Sequence, residues 1–282
     1  MPTVTSYRNG LTAGVGGGNP SPVKRGEIKG WSSGAVRRHT AWLYSVDAPT
    51  LSAGYVGHAV TLTVRDCPPT AEAWGRARDT WLQRMRAAGA VRVHWVTEWQ
   101  RRGVPHLHTA IYWPEGHPLA EVGGWRAAVD WLEVLEAYGP SLSAQRAERI
   151  DGDLGWIQYL SKHAARGVKH YQRQGSPPGW EKTGRLWGKT GEWPTNDPER
   201  YVVDWPAYWR YRRLVRAWRV ADARAERDVD TRRRRVPLAR RMLSCPQPRL
   251  SRVRGVSEWV PEDVSNAFLV LLHEEGHELT QK

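Results

Sequence analysis

Hydrophobic and polar positions change their period several times along the chain, and each change marks an element. HAVTLTVR, 58–65, is rich in β-branched residues and predicts a strand. PTAEAWGRARDTWLQRMRAAGA follows with Trp74, Ala77, Trp81 and Met85 at spacings of three and four, the pattern of an amphipathic helix. VRVHWVTEW and VPHLHTAIYW return to strand character. Let Gln100 and Val104 close a three-residue loop, Arg101-Arg102-Gly103, with Gly103 left-handed. The two segments then form a hairpin in which Glu98 faces His106 and Val96 faces His108. SSGAVRRHTAWLYSV predicts a short basic helix capped by serine. Residues 119–138 and 153–171 predict two more helices, and 206–241 a long, strongly basic one. Residues 1–30, with GVGGGNPSP at their centre, read as a flexible arm. The expected division is an arm over 1–30, a chemistry-bearing domain over 31–200 and a basic helical C-terminal region over 201–282.

Composition adds a partner and a compartment. The 282 residues carry a net charge of +13, which draws the chain to a polyanion, and nucleic acid is the expected one. Arginine makes up most of the basic residues and suits bidentate phosphate contacts. Seventeen tryptophans stand against one phenylalanine; indoles can stack on unpaired bases, although most are expected in the core. Two cysteines, Cys67 and Cys245, cannot build a disulfide framework, which fits a reducing compartment. No run approaches the ~20 apolar residues of a membrane span, so the expected location is cytoplasmic, with no membrane partner.

The hairpin concentrates candidate chemistry. Side chains two apart on a strand share a face, so Glu98, His106 and His108 converge, while Leu107, Thr109, Ile111 and Trp113 point to the core. Two imidazoles and a carboxylate suit Mn²⁺ or Mg²⁺ and would also accept Zn²⁺, Co²⁺ or Ni²⁺. An isolated His-x-His is more often a pair of ordinary strand residues satisfied by hydrogen bonds. A second constellation lies in DLGWIQYLSKHAARGVKHYQR, 153–173. On a helical wheel Ile157, Leu160, Ala164, Val168 and Tyr171 share one side, and Tyr159, Lys162, His163, Arg166 and His170 the other. Tyr171 is thus expected in the core and Tyr159 on a cationic face. A phenol beside a lysine and a metal is equipped to attack a phosphodiester. The alternative is a solvated basic face that only touches phosphates. His163, Arg166, His170, Arg101 and Arg102 are candidate DNA contacts.

TEWQRRGVPHLH resembles the metal-binding motif of HUH-type rolling-circle replication initiators, and WIQYLSKH resembles their tyrosine-lysine nucleophile motif. AVTLTV, 59–64, is similar to their first motif; GRLWG and WSSGAVRR are similar to segments of initiators from small single-stranded DNA phages and plasmids. The resemblance spans residues 31–190. It implies an α+β fold with a central antiparallel sheet flanked by helices and both histidines on a middle strand. It also implies nicking of one strand at an origin, a 5′-phosphotyrosine at Tyr159 and a free 3′-hydroxyl for a host polymerase. Glu98, His106 and His108 would bind the metal and Lys162 would assist Tyr159. Some relatives use two tyrosines; Tyr171, on the other side of the helix, argues for one. A conjugative relaxase or single-strand transposase shares this chemistry, and a non-catalytic DNA-binding regulator shares the charge.

Two other motifs carry less. GRLWGKT, 184–190, is one residue short of a phosphate-binding loop, so no ATPase is expected and a host helicase would open the origin. HEEGH, 273–277, matches the two-histidine zinc-protease pattern, but Gly276 weakens the helix it needs. The arginine-rich 206–241 segment is expected to supply salt-sensitive, non-specific DNA affinity.

Overall fold

The opening hairpin comes from short alternation around an Arg-Asn turn: β1 (Pro2–Tyr7) and β2 (Gly10–Val15) pair antiparallel from Pro2 opposite Val15 to Tyr7 opposite Gly10. The computed structural model describes residues 1–15, 30–152, 155–156, 159, 170–241 and 255–282. Residues 2–15 are therefore strands and not the flexible arm that glycine and proline richness predicted. Thr3, Val4 and Thr5 are good strand formers, and the glycine-rich stretch that suggested an arm begins only beyond them. Among the described residues the fold is α+β, with two antiparallel five-stranded sheets and seven helices. The chain divides into two units, Lys24–Thr195, and Met1–Val23 together with Asn196–Lys282.

In the second of these units the β1–β2 hairpin joins three strands from the far end of the chain. The remaining eight strands are β3 (Tyr55–Thr63), β4 (Arg92–Trp99), β5 (Pro105–Pro114), β6 (Arg146–Ile150), β7 (Trp187–Thr190), β8 (Glu199–Val203), β9 (Val256–Glu258) and β10 (Leu279–Gln281). The sheet order in this unit is β10-β8-β1-β2-β9. The basic 206–241 segment forms two helices, Trp205–Ala225 and Val229–Arg241. Several of its arginines serve the fold: Arg210 bonds Glu275, Arg219 bonds Glu258, and Arg235 bridges Asp222 and Glu226. Arg212 is buried, 4.6 Å over the Trp209 ring. The HEEGH segment straddles the end of a helix over Glu262–Glu274: Gly276 is left-handed, so His277 leaves the helical face that carries His273.

The Lys24–Thr195 unit holds the sheet β6-β3-β5-β4-β7. Its first helices are α1 (Ser33–Ser45), capped by Ser32, α2 (Ala48–Ser52), α3 (Ala71–Ala87), capped by Thr70, and α4 (Gly123–Val134). Helix α4 is shorter than the predicted 119–138: it starts at Gly123, where a Cβ would stand 2.1 Å from Trp113 Nε1, and a separate 3-10 turn covers Glu136–Tyr138. The would-be phosphate loop is edge strand β7 in its second half, paired with β4.

Strands β4 and β5 are buried almost throughout, so both faces of the sheet are covered. One face carries Val93, Trp95, Thr97, Leu107, Thr109, Ile111 and Trp113 and packs on α3 and α4. Three of the tryptophans that build this core have their indole N–H satisfied inside it: Trp74 bonds Thr97 Oγ1, Trp81 bonds the Ala127 carbonyl and Trp131 the Thr63 carbonyl. None of the helices among the described residues is long and apolar enough to cross a membrane.

Candidate metal centre

The other face of this sheet carries the chemistry. Gln100 and Val104 close the loop through a 2.9 Å N–H to carbonyl bond, Gly103 has φ of 77°, and Glu98 pairs with His106 and Val96 with His108. The loop length alone sets that register, since one residue more or fewer would send the imidazoles to the opposite face. Glu98, His106 and His108 are all buried, with one ligand atom from each within 4.8 Å of the others. The His106 and His108 rings stand 4.4 Å apart, edge to face. Among the described residues they are the one cluster of three or more acidic, His or Cys side chains able to hold a metal ion.

Neighbouring side chains set the orientation of each donor. Thr61 Oγ1 on β3 lies 3.0 Å from His108 Nδ1. With the proton on Nδ1 and donated to Thr61, His108 Nε2 presents a lone pair, and that atom is 3.6 Å from Glu98 Oε2. Gln172 Nε2 lies 3.4 Å from His106 Nε2, and Arg173 Nε donates to Glu98 Oε1 at 3.0 Å. Gln172 and Arg173 belong to a 3-10 turn, Tyr171–Arg173; the Arg173 carbonyl accepts the backbone N–H of Trp31, whose indole N–H in turn bonds the Thr97 carbonyl of β4. The Arg173 guanidinium packs 4.3 Å over the Trp31 ring, and burial lowers its pKa to about 10. It therefore remains a cation at neutral pH, facing the carboxylate of Glu98.

This buried pair yields a prediction. Arg173→Met should destabilise the Lys24–Thr195 unit by about 3–5 kcal/mol, because it takes a buried cation from a buried carboxylate. Thermal unfolding with and without Mn²⁺ checks this. The variant should gain more from Mn²⁺ than wild type, since a bound cation replaces the missing charge; equal gains would exclude that account.

Tyr159 lies on the same side of the sheet. Its hydroxyl is 3.4 Å from Nδ1 of His94, which alternates with Val96 onto the face of Glu98. The His94 row is one pleat, roughly 6.6 Å, from the row of Val96 and His108. Trp156 stacks on the Tyr159 ring, centroids 5.5 Å apart. Burial first, and Tyr112 second, push the phenol well above its ordinary pKa. Lys162, His163 and Arg166 fall outside the described residues.

Two expectations are corrected. Tyr171 is half exposed and sits in the 3-10 turn, with Arg101 5.5 Å over its ring, so it is neither core nor on a helix with Tyr159. His170 is extended and caps that turn, which removes it from the helical face proposed for it. The guanidinium of Arg102, an exposed residue, bonds Gln100 Oε1 at 2.7 Å and the Val64 and Arg65 carbonyls, clipping the hairpin loop to the residues that follow β3. Arg101 keeps an exposed place beside Tyr171.

Sequence reasoning passed over His94, Thr61, Gln172 and Arg173. His94 was within reach, since the period-two rule that joined His106 to His108 also joins His94 to Glu98.

Residues 57–166 match the family described as Replication-associated protein ORF2/G2P. The chain is 49% identical to a putative replication protein of Xylella fastidiosa strain 9a5c, over 100% of both chains. It is 48% identical to one from strain Temecula1, over 92% of this chain and 99% of that one. It is 41% identical to the replication-associated protein G2P of Pseudomonas phage Pf3, over 99% of each. No solved structure matches it.

Proposed function

The chain belongs to the family of replication-associated proteins ORF2/G2P, and from that premise we propose that it starts rolling-circle replication by nicking one DNA strand at an origin. The observation that carries the reading is the placement of three convergent metal donors and a tyrosine hydroxyl on one face of one sheet. Glu98, His106 and His108 would hold Mn²⁺ or Mg²⁺, and the two imidazoles favour Mn²⁺. A bound divalent cation supplies Lewis-acid polarisation of a phosphodiester.

The chain's own residues do the rest. Thr61 and Arg173 orient the donors, so the site is set before DNA arrives. Tyr159 attacks the scissile phosphorus, forming a 5′-phosphotyrosine and releasing a 3′-hydroxyl that a host polymerase extends. Reversal, with a 3′-hydroxyl attacking the phosphotyrosine, rejoins the strand. Lys162 assists Tyr159, and Arg101 contacts the unpaired strand. A host helicase opens the duplex, and the reaction takes place in the cytoplasm of the cell whose polymerase is used.

The test is incubation of the protein with single-stranded origin DNA and Mn²⁺. A denaturant-resistant protein–DNA adduct should form, and mass spectrometry of its peptides should locate the phosphate on Tyr159. Specific binding of the origin strand without any adduct would leave a DNA-binding regulator in place of an enzyme.

A further inference from the structure

A phenol held well above its ordinary pKa does not ionise unaided at neutral pH, so nucleophilic attack requires a proton acceptor. Two buried histidines stand behind the Tyr159 hydroxyl. We infer that His94 accepts the Tyr159 proton as the phenol attacks, and that His39 on α1, behind it, takes the displaced proton of His94. This deepens the reading of Tyr159 as nucleophile and rests on it.

The geometry is a linear chain. Tyr159 Oη is 3.4 Å from His94 Nδ1, and His94 Nε2 is 3.0 Å from His39 Nε2. A neutral imidazole has one N–H and one lone pair. If Nδ1 of His94 accepts from the phenol, its Nε2–H must donate to His39 Nε2, which puts the His39 proton on Nδ1. His39 Nδ1 is buried with no hydrogen-bond partner among the described residues, in a box of indoles. The rings of Trp31, Trp42 and Trp187 lie 5.7, 6.5 and 4.9 Å from that of His39. Indole faces are electron-rich, so they tolerate an N–H or an imidazolium and repel a lone pair. His39 thus carries its proton on Nδ1 and offers Nε2 to His94, the tautomer that can relay a proton.

Both imidazoles rest neutral. Burial, then the charge of Lys189 on β7, takes His94 down to about 3. Burial, then His94, then Arg173 of the 3-10 turn lower His39 well below its usual value. Among the described residues the other titratable group facing this chain is Tyr112 of β5, beside Tyr159; Trp42, Trp156 and Trp193 pack around His94. The acceptor lone pair is thus available throughout the neutral range. In the step, the Tyr159 O–H proton passes to His94 Nδ1 and the His94 Nε2 proton to His39 Nε2. The phenolic oxygen bonds to phosphorus, the bond from phosphorus to the 3′ oxygen breaks, and that oxygen takes a proton from solvent.

Single-turnover adduct formation between pH 6 and 9, at saturating Mn²⁺, tests the relay. The wild-type rate should be nearly flat, because the acceptor stays neutral over this range. His94→Gln should be roughly 10²–10⁴-fold slower at pH 7 and should recover about tenfold per pH unit, as hydroxide replaces the imidazole. His39→Gln should be slowed in the same direction, by less, and added imidazole should partly restore His94→Gln. A wild-type rate climbing tenfold per pH unit overturns the relay whether or not the variants fold. So does a folded His94→Gln with the wild-type rate and slope, while the adduct itself leaves Tyr159 as nucleophile. Absence of any wild-type adduct removes both readings together.

Discussion

Tyr159→Phe should abolish the covalent adduct with single-stranded origin DNA, a loss of roughly 10³-fold or more. Phenylalanine keeps the ring and its stacking on Trp156 and removes only the oxygen that would become bonded to phosphorus. The hydroxyl makes a 3.4 Å bond to His94, so its loss should cost stability no more than about 1 kcal/mol. Mn²⁺ affinity and binding of the origin strand should therefore stay close to wild type, which separates chemistry from folding. The measurement is adduct yield on a denaturing gel beside a calorimetric titration with Mn²⁺. A phenylalanine variant that still forms the adduct would move the nucleophile elsewhere. Tyr171, half exposed on the turn that reaches Glu98 and His106, would be the next residue to replace.

His106→Ala and His108→Ala should each weaken Mn²⁺ binding by more than about 100-fold. Residues that merely orient a ligand are worth roughly 10–100-fold, and these would be ligands themselves. Among the described residues the three donors within 4.8 Å have no fourth acidic or imidazole side chain in the cluster to compensate. Thr61→Ala removes the hydroxyl beside His108 Nδ1 without touching the donor set and should fall in the smaller range. Isothermal titration of each variant with Mn²⁺ gives the ranking. Equal affinities across the set would mean that the two imidazoles are ordinary strand residues held by hydrogen bonds. Adduct formation should drop in the same order if the cation polarises the scissile phosphate.

The hairpin shows how far local pattern reaches. Its register, its left-handed Gly103, and the division between a donor face and a core face all follow from period-two alternation and a three-residue loop, which depend on neighbours in the chain. Helix α3 was legible for the same reason. The N-terminal hairpin was missed because composition outweighed a six-residue alternation, and strands that short are held by partners distant in sequence, here β8 and β9. Tyr171 was misplaced because the helical wheel was run through Gly167 to a residue that lies in a separate 3-10 turn.

From the order of residues alone one could know which side chains share a strand face, and hence that two imidazoles and a carboxylate would meet. Tertiary structure alone decided what surrounds them. Arg173 reaches Glu98 across 75 residues, Tyr159 reaches His94 across 65, and His39 reaches His94 across 55. Those contacts exist because the second face of the sheet had to be covered by segments that share no period with it. Which charged or hydrogen-bonding side chain arrives opposite each donor is set by how those segments pack, and no local rule of spacing contains that information.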